Sequence, residues 1–302
     1  MKRFRIQKQS AGAWAFDIAN IFTMLLMMLI MAYPFMHVFS VSISDSDHVA
    51  RGVVGMLPVF PISFDGYEVV FQQEQILRAY VNTIVYTVTG TIAVLLICSI
   101  GAYPLSIRTL KGRTFFGLLF SLTMILPSGM IPAFLLIKGL GMLDTIWALI
   151  IPPVFNFWFI VLLRTNFASV PDTLRESARM DGANEWTILF RIILPLSKPI
   201  LATVGLFAAV AQWNSFFAPL LYLIDAAKFP LQILLHKVVL QNYMDSAQLR
   251  DLAHYQGISL GPGFLAKVRM ATVIVAIGPI ILVYPFVQKY FVKGALVGSV
   301  KG

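Results

Sequence analysis

The stretch VPDTLRESARMDGANEWTILFRIILP, residues 170–195, is a long polar segment between two strongly apolar parts of the chain. Pro171 and Asp172 predict a helix start, because proline suits a first turn and an acid there complements the helix dipole. Asp181 and Gly182 predict a stop, since glycine readily takes the left-handed conformation that ends helices. The first half of the stretch therefore predicts one short helix and a turn.

The second half of the stretch carries an apolar stripe. Its members recur at helical spacing, at Trp186, Leu189, Phe190 and Ile193. This spacing predicts a second helix, and Leu194-Pro195 is expected to break it before the next apolar run. A helix–turn–helix that faces water in an apolar chain is suited to contact another protein. The alternative is a connecting loop on the surface of a bilayer.

The composition predicts a polytopic membrane protein that forms one domain over residues 1–302. Of these residues, 58% are hydrophobic and 12% are charged, far from the usage of soluble proteins. The single cysteine excludes a disulfide framework, and the four histidines show no metal-ligand spacing. We therefore predict no metal site and no catalytic residues. The net charge of +9 could suggest a nucleic-acid partner, but in a membrane protein its distribution over the loops is the better test.

Six apolar runs predict six transmembrane helices, because a span needs about 20 apolar residues. They cover residues 18–43, 80–103, 115–137, 145–163, 200–224 and 270–288. The first run follows a basic leader, but it is too long for the core of a signal peptide, so we expect it to be retained. The fold class predicted is all-α.

The charges between the runs predict the topology. Four segments lie on the side of the basic leader, at 1–17, 104–114, 164–199 and 289–302, and they include the polar segment 165–199. Together these four segments hold fifteen basic and five acidic residues. The opposite segments, dominated by external loops at 44–79 and 225–269, hold eight basic and nine acidic residues. The positive-inside rule therefore places both termini and the polar segment in the cytoplasm. Within the second external loop, residues 229–241 predict either an interfacial amphipathic helix or a docking surface for a substrate-delivery protein.

Two features that the sequence lacks bear on the energy source that transport would use. Runs two to six contain no Asp, Glu, Lys, Arg or His, although ion-coupled transporters usually place such residues at membrane depth. The chain also lacks the GxxxxGK[ST] loop that cradles ATP phosphates. Transport driven by a separate ATPase is therefore favoured. A secondary, ion-coupled transporter is the main alternative, and a membrane-embedded enzyme or a channel are further ones.

Neutral polar residues inside the runs predict a substrate pathway. Asn156 and Trp158 lie in run four, and Gln212, Trp213 and Asn214 lie in run five. Amides that bind hydroxyls, beside aromatic faces that stack on C–H groups, are suited to a sugar. The alternative for each residue is ordinary packing between helices.

The polar segment also resembles a known signature. Glu176-Ser177-Ala178, Gly182 and Ile192-x-Leu194-Pro195 keep the spacing of EAA-x3-G-x9-I-x-LP, which belongs to permease subunits of bacterial ABC importers. Ser177 departs from the usual alanine, a small-for-small change. The segments QWNSFFAPLLY at 212–222, KFPLQ at 228–232 and the ending QKYFVKGALVGSVKG are similar to the maltose-type carbohydrate family. The chain resembles its smaller permease, in the polysaccharide-oligomer and lipoprotein-type branch.

The resemblance implies a type I ABC-importer permease fold in the bacterial cytoplasmic membrane. It implies a heterodimer with a second homologous permease, two ATPase subunits that bind ATP and Mg, and an extracytoplasmic solute-binding protein. The substrate would be an oligosaccharide, with acidic, uronate-type sugars permitted. The chain itself would need no cofactor. We call residues 170–195 the coupling segment.

The resemblance also implies roles within the coupling segment. Glu176 would face the ATPase at the joint and Gly182 would allow the tight turn. Trp186, Leu189 and Phe190 would form a hydrophobic anchor in the ATPase. The remaining positions predicted to belong to this coupling site are Ser177, Ala178, Asp181 and Pro195.

Overall fold

In a computed structural model of the chain, the structure describes residues 11–126, 128–240 and 261–299. All regular elements in these ranges are helical, and one isolated antiparallel bridge joins Ser44 to Ile62. The all-α prediction is therefore confirmed for the described residues.

The helices are numbered in chain order. The first ten are α1 Ala11–Ile43, α2 Ser46–Ala50, α3 Asp65–Gln72, α4 Glu74–Ser106, α5 Arg113–Ile125, α6 Met130–Gly139, α7 Trp147–Val154, α8 Phe157–Phe167, α9 Asp172–Met180 and α10 Glu185–Ile188. A π-helical turn, Leu189–Ile193, leads into α11 Leu194–Leu196, followed by α12 Lys198–Trp213 and α13 Phe217–Tyr222. After a 3-10 turn at Ala226–Lys228 come α14 Leu231–Leu240 and α15 Pro262–Ser299.

Helix length and apolarity support several membrane spans. Among the described residues, α1, α4 and the first part of α15 are each long and apolar enough to cross a membrane. Three bent helix pairs also pass the same test of length and apolarity, and the number is six if each pair counts as one span. The pairs are α5 with α6, α7 with α8 at 51°, and α10–α11 with α12 at 86°. Two consecutive prolines in α7, Pro152 and Pro153, account for the bend into α8, because proline removes a donor from the helical ladder. The count of six spans stays a prediction.

The described residues form two compact units, which we describe separately. The first contains residues 11–72, 238–240 and 261–275, and the second contains 73–237 and 276–299. The predicted single domain over 1–302 stays a prediction. Part of the external loop predicted at 225–269 lies outside the described residues.

Polar contacts hold the first unit together. The hydroxyl of Ser40, near the end of α1, donates to the carbonyl of Met56 at 2.6 Å. The ammonium of Lys267 in α15 is fully buried and bonds to Ser63 and Asp65. Burial opposes ionisation of Asp65, but the hydrogen bonds and charge of Lys267 outweigh it and lower the pKa of that carboxyl.

The second unit is built around α4, which packs against α7, α8 and α12. Its core is aliphatic and aromatic, with Ile160, Leu163 and Phe167 of α8 fully buried. Small residues let the helices approach closely, and a Cβ added at Gly101 would lie 3.3 Å from the side chain of Ile160. This packing fixes the end of α4 beside the coupling segment.

Candidate functional site

The first helix of the coupling segment is tied to two other helices by a buried cation, Arg175, which is 3% exposed. Its Nη2 donates to the carbonyl of Phe167, at the end of α8, at 2.6 Å and to Oγ of Ser106, at the end of α4, at 3.2 Å. Its Nη1 donates to Asp172 at 3.2 Å, and its guanidinium lies 5.9 Å from the ring centre of Tyr103. Any movement of α9 is therefore resisted by bonds to α4 and α8.

The turn of the coupling segment ends α9 in a Schellman motif. The amide of Ala183 donates to the carbonyl of Ala178 at 2.9 Å, and that of Gly182 donates to Arg179 at 3.0 Å. Gly182 has φ of +80°, a conformation that costs other residues energy. The sequence prediction of a helix and a glycine turn agrees with this geometry.

The second helix is held to α4 through a carboxylate. Glu185 accepts a hydrogen bond from the hydroxyl of Tyr103 at 2.5 Å and one from Nε of Arg179 at 2.9 Å. Asn184 caps α10 by accepting from the amide of Thr187 at 2.8 Å. Both helices of the coupling segment are thus bonded to the last turn of α4.

Apolar side chains face outward from this otherwise polar segment. Trp186 and Phe190 are 59% and 42% exposed, and their rings stack with centres 6.2 Å apart at 18°. Met180, at the end of α9, is 87% exposed and Leu174 is also exposed. Exposed apolar clusters of this kind mark contacts with other proteins or membranes. Glu176 and Ser177 are exposed as well, whereas Ala178 is buried.

Two features of the second helix differ from the sequence prediction. Leu189 is 2% exposed and packs in the chain's own core, so it is not available as an anchor for a partner. The π-helical turn at Leu189–Ile193 has a longer period than an α-helix, so the predicted stripe divides into a buried and an exposed pair. Pro195 does not end the helix either, because α11 continues to Leu196 and the 86° bend follows at Ser197.

Two predicted pathway residues, Gln212 and Trp213, connect helices of the second unit. Nε2 of Gln212 donates to the carbonyl of Leu149 in α7 at 3.2 Å, and its side chain lies against Gly90 of α4. The ring of Trp213 meets the ring of Tyr80 edge-on, with centres 6.4 Å apart at 72°. Gln212 therefore lies where α4, α7 and α12 meet, and Trp213 contacts α4.

The other predicted pathway residues make local contacts. Oδ1 of Asn156 caps α8 by accepting from the amide of Phe159 at 3.3 Å. Nδ2 of Asn214 donates to the carbonyl of Val210, within the end of its own helix, at 3.0 Å. Trp158 is 54% exposed. The structure therefore places Gln212 and Trp213 between helices, and it gives Asn156 and Asn214 roles at helix ends.

In the N-terminal half of α4, three side chains hold the stretch that follows α13, residues 224–231, which we call the shelf. Asn82 donates to the carbonyls of Ala227 and Phe229, Tyr86 donates to the carbonyl of Lys228, and Thr83 accepts from the amide of Leu231, at 2.8–3.2 Å. A short carbonyl-rich loop is thereby fixed to a long helix.

Asp144 also binds the shelf. Its carboxylate accepts from Nζ of Lys228 at 2.5 Å and from the amides of Ile224 and Asp225 at 3.0 Å each. The bond to Lys228, followed by those to the two amides, lowers the pKa of Asp144 from its usual 3.8 to about 2. The shelf is therefore held by an ionised carboxylate throughout the physiological pH range.

Comparison with known proteins identifies the family. No family model matches the chain. It is 39% identical to the polygalacturonan/rhamnogalacturonan transport system permease protein YtcP of Bacillus subtilis, over 95% of this chain and 98% of that protein. The chain belongs to the carbohydrate ABC-importer permeases. This permease also matches a chain in the crystal structure of a bacterial ABC transporter that imports the acidic polysaccharide alginate. The TM-score is 0.87 and the identity 36%, over 94% of this chain and 99% of that one.

A second solved structure shares the fold of this permease. It is a bacterial alginate ABC transporter in complex with an alginate pentasaccharide-bound periplasmic protein, with a TM-score of 0.51 and 16% identity, over 91% of this chain and 92% of that one. At this identity the likeness concerns the fold alone. The family and the long apolar helices together make this permease a multi-pass membrane protein.

Sequence reasoning missed the residues that connect the coupling segment of this permease to its spans. These residues are Tyr103, Ser106, Arg175 and Glu185. Arg175 and Ala178 are the buried residues of α9, and they lie three positions apart on one face of that helix. This helical spacing is the sequence feature from which a buried face of α9 could have been predicted. Within the described ranges, no group of three His, Cys, Asp or Glu side chains could hold a metal ion.

Proposed function

We propose that this permease is one of two transmembrane subunits of an ATP-driven importer for acidic, uronate-type oligosaccharides. The observation that carries the substrate class is the 39% identity, over nearly the whole chain, to a permease named for polygalacturonan and rhamnogalacturonan transport. The alginate importer chain, at a TM-score of 0.87, supports the same class, because alginate is also an acidic polysaccharide.

The coupling segment is the proposed site of ATPase contact. It is mainly polar, yet it exposes the stacked pair Trp186 and Phe190 together with Met180. Aromatic anchors surrounded by polar residues are typical of the centres of protein interfaces. The partner is an ATPase that binds ATP and Mg, and two copies act on the heterodimer of this permease with a second one. Glu176 and Ser177, exposed on α9, complete the contact surface.

The bonds at the base of the coupling segment give this contact a mechanical consequence. Arg175 joins the segment to α4 and α8, and Glu185 joins it to α4. Displacement of the segment by ATPase closure therefore moves α4 and α8 with it. The 86° bend at Ser197 separates the segment from α12, so α12 can change its angle to them. Alternating access requires two such arrangements, each favoured by a different ligand.

The remaining parts of the proposal concern placement. Six spans with both termini in the cytoplasm place the coupling segment at the inner surface of the bacterial cytoplasmic membrane, in agreement with the charge distribution. An extracytoplasmic solute-binding protein delivers the oligosaccharide to the outer side. The periplasmic protein in the fold-related alginate transporter complex is compatible with this arrangement.

Removal of the exposed ring pair tests the proposal. We expect Trp186→Ala/Phe190→Ala to reduce co-purification of the ATPase by more than tenfold, since truncation of one buried interface anchor costs about 2 kcal/mol or more. Phe115→Ala/Phe116→Ala is a matched control. Its rings are also in contact, with centres 5.5 Å apart, and they are 65% and 44% exposed. The control should retain the ATPase.

A transport assay completes the test. Proteoliposomes with the full complex and its binding protein should hydrolyse ATP faster when a galacturonate oligomer is added. Undiminished ATPase association in the Trp186/Phe190 variant would contradict the contact assignment. Uptake that follows an ion gradient without any ATPase would instead favour a secondary transporter.

A further inference from the structure

The helical conformation is interrupted between α12 and α13, and aromatic rings flank this interruption on both sides. Residues 214–216 form the break, since α12 ends at Trp213 and α13 begins at Phe217. Before the break, Trp213 contacts Tyr80 edge-on. Within it, the ring of Phe216 lies against the imidazole of His236 with centres 5.4 Å apart at 13°, a parallel stack. The break therefore lies between two ring pairs, one formed by its preceding residue with α4 and one formed by Phe216 with α14.

The helix that carries His236 is fixed at its start. The amide of Leu231 donates to Oγ1 of Thr83 at 2.8 Å, and Leu231 and Ile233 are 0% and 1% exposed. These contacts anchor α14 to α4, while Phe216 holds the imidazole from the other side. Because its helix is anchored and its ring is stacked on Phe216, the imidazole has little rotational freedom. A ligand therefore meets a preorganised donor.

The polar atoms around the break have capacity to bind a ligand. Within the residues that the structure describes, neither ring nitrogen of His236 has a hydrogen-bond partner. In the same described part of the chain, the indole nitrogen of Trp213 is buried without a partner. A parallel stack occupies one face of the imidazole and leaves its edge, which carries both nitrogens, free to form hydrogen bonds, with the N–H nitrogen as the donor. Phe216 and Phe217 are 40% and 50% exposed, so apolar faces adjoin these donors.

We propose that His236 is a specificity-determining residue that donates a hydrogen bond to the carboxylate of an acidic sugar at this break. The aromatic faces of Trp213 and Phe216 would pack against the C–H faces of the pyranose. A carboxylate accepts stronger hydrogen bonds than a neutral hydroxyl or ester, so the imidazole discriminates in favour of uronates. This inference rests on the proposed import of acidic oligosaccharides and assigns a residue that would select them.

The test compares an acidic substrate with its neutral counterpart. The probes are a galacturonate trisaccharide and an alginate trisaccharide, each alongside its methyl ester, taken up by proteoliposomes with the complete transporter and saturating binding protein. His236→Phe keeps a ring that stacks on Phe216 but removes both ring nitrogens, and with them the N–H donor. His236→Gln restores a donor without the ring. His37→Phe is the matched control, because His37 also stacks on an aromatic ring, that of Tyr33 at 8° and 6.2 Å.

We expect His236→Phe to raise KM for the acidic trisaccharide that the wild type transports by about tenfold, the size of one hydrogen bond to a charged group. Its kcat, and both constants for the ester, should change less than twofold. His236→Gln should recover part of the loss, and His37→Phe should not distinguish the two probes. Equal loss for acid and ester would assign His236 to packing and overturn the inference, as would no loss in His236→Phe. If the wild type transports neither acidic probe, the proposed substrate class fails, and the inference fails with it.

Discussion

Replacement of Gly90 by alanine tests the contact between α4 and α12 on which the pathway assignment depends. A Cβ at this position would lie 2.8 Å from Nε2, 3.1 Å from Cδ and 3.2 Å from Cγ of Gln212. Three consecutive atoms would be too close, so the whole Gln212 side chain must move and not only its end. Its hydrogen bond to the carbonyl of Leu149, at 3.2 Å, would then be lost.

Two terms of opposite sign set the stability of Gly90→Ala. Alanine in place of glycine inside a helix stabilises it by about 1 kcal/mol. Loss of the Gln212 hydrogen bond costs about 1 kcal/mol, and imperfect repacking adds roughly 1 kcal/mol. We therefore expect the variant to be between unchanged and about 1 kcal/mol less stable. Uptake should fall to the level of Gln212→Ala, because both changes remove the same amide from its position.

Gly117→Ala is the matched control, since Gly117 is also helical and a Cβ there would have nothing within 4 Å. It should be stabilised by about 1 kcal/mol, a rise of roughly 2–4 °C in the melting temperature in detergent. In a Gln212→Ala background, Gly90→Ala should stabilise by a similar amount, because the obstructing side chain is gone. Full uptake and a stability gain equal to that of Gly117→Ala in the single Gly90 variant would refute the contact.

Three further predictions concern the coupling segment and the shelf. Gly182→Ala should lower stability by about 1 kcal/mol in thermal unfolding, because φ is +80°, and Gly182→Asn should lower it less. Glu185→Gln should lower stability by about 1 kcal/mol and reduce the amount of substrate transported per ATP hydrolysed. Adding Tyr103→Phe to this variant should cause little further loss, and additive losses would show that the two residues act independently. Asp144 has a lowered pKa, so its stabilisation is present above about pH 4 and is lost as the pH falls towards about 2. Asp144→Asn should flatten the plot of melting temperature against pH in this acidic range. An unchanged slope in that range would count against the ion pair with Lys228.

The sequence predicted the parts of the coupling segment that depend on local geometry. A helix stop with a left-handed glycine follows from Asp181 and Gly182, and the structure has it, with φ of +80° at Gly182. The structure adds the two hydrogen bonds that close the turn. The all-helical class follows from the apolar runs in the same way. These features are local, so a single sequence is enough to specify them.

Features that depend on distant residues were not predicted. A period of 3.6 residues placed Trp186 and Leu189 on one stripe, but the π-helical turn buries Leu189 and leaves Trp186 exposed. The cap that Asn156 forms on the helix after the two prolines was not predicted, and its place in a substrate pathway stays a prediction. His236 had no spacing signal at all, because its partner Phe216 is twenty positions away and belongs to another element. Side-chain periodicity carries no information on such pairings.

The helix α4 connects the two sites at which the proposed ATPase and the proposed substrate act. Its C-terminal end bonds to the coupling segment through Tyr103 and Ser106, and its N-terminal half bonds to the shelf through Asn82, Thr83 and Tyr86. With 33 residues at about 1.5 Å each, it spans roughly 50 Å as one continuous element. A rigid helix bonded at two distant points transmits a displacement from one point to the other. In contrast, α12 is bounded by the bend at Ser197 and by the break at 214–216. We therefore expect Glu185→Gln to weaken the transmission of displacement along α4 from the coupling segment to the shelf and His236. Normal coupling of ATP hydrolysis to transport in that variant would exclude transmission through α4.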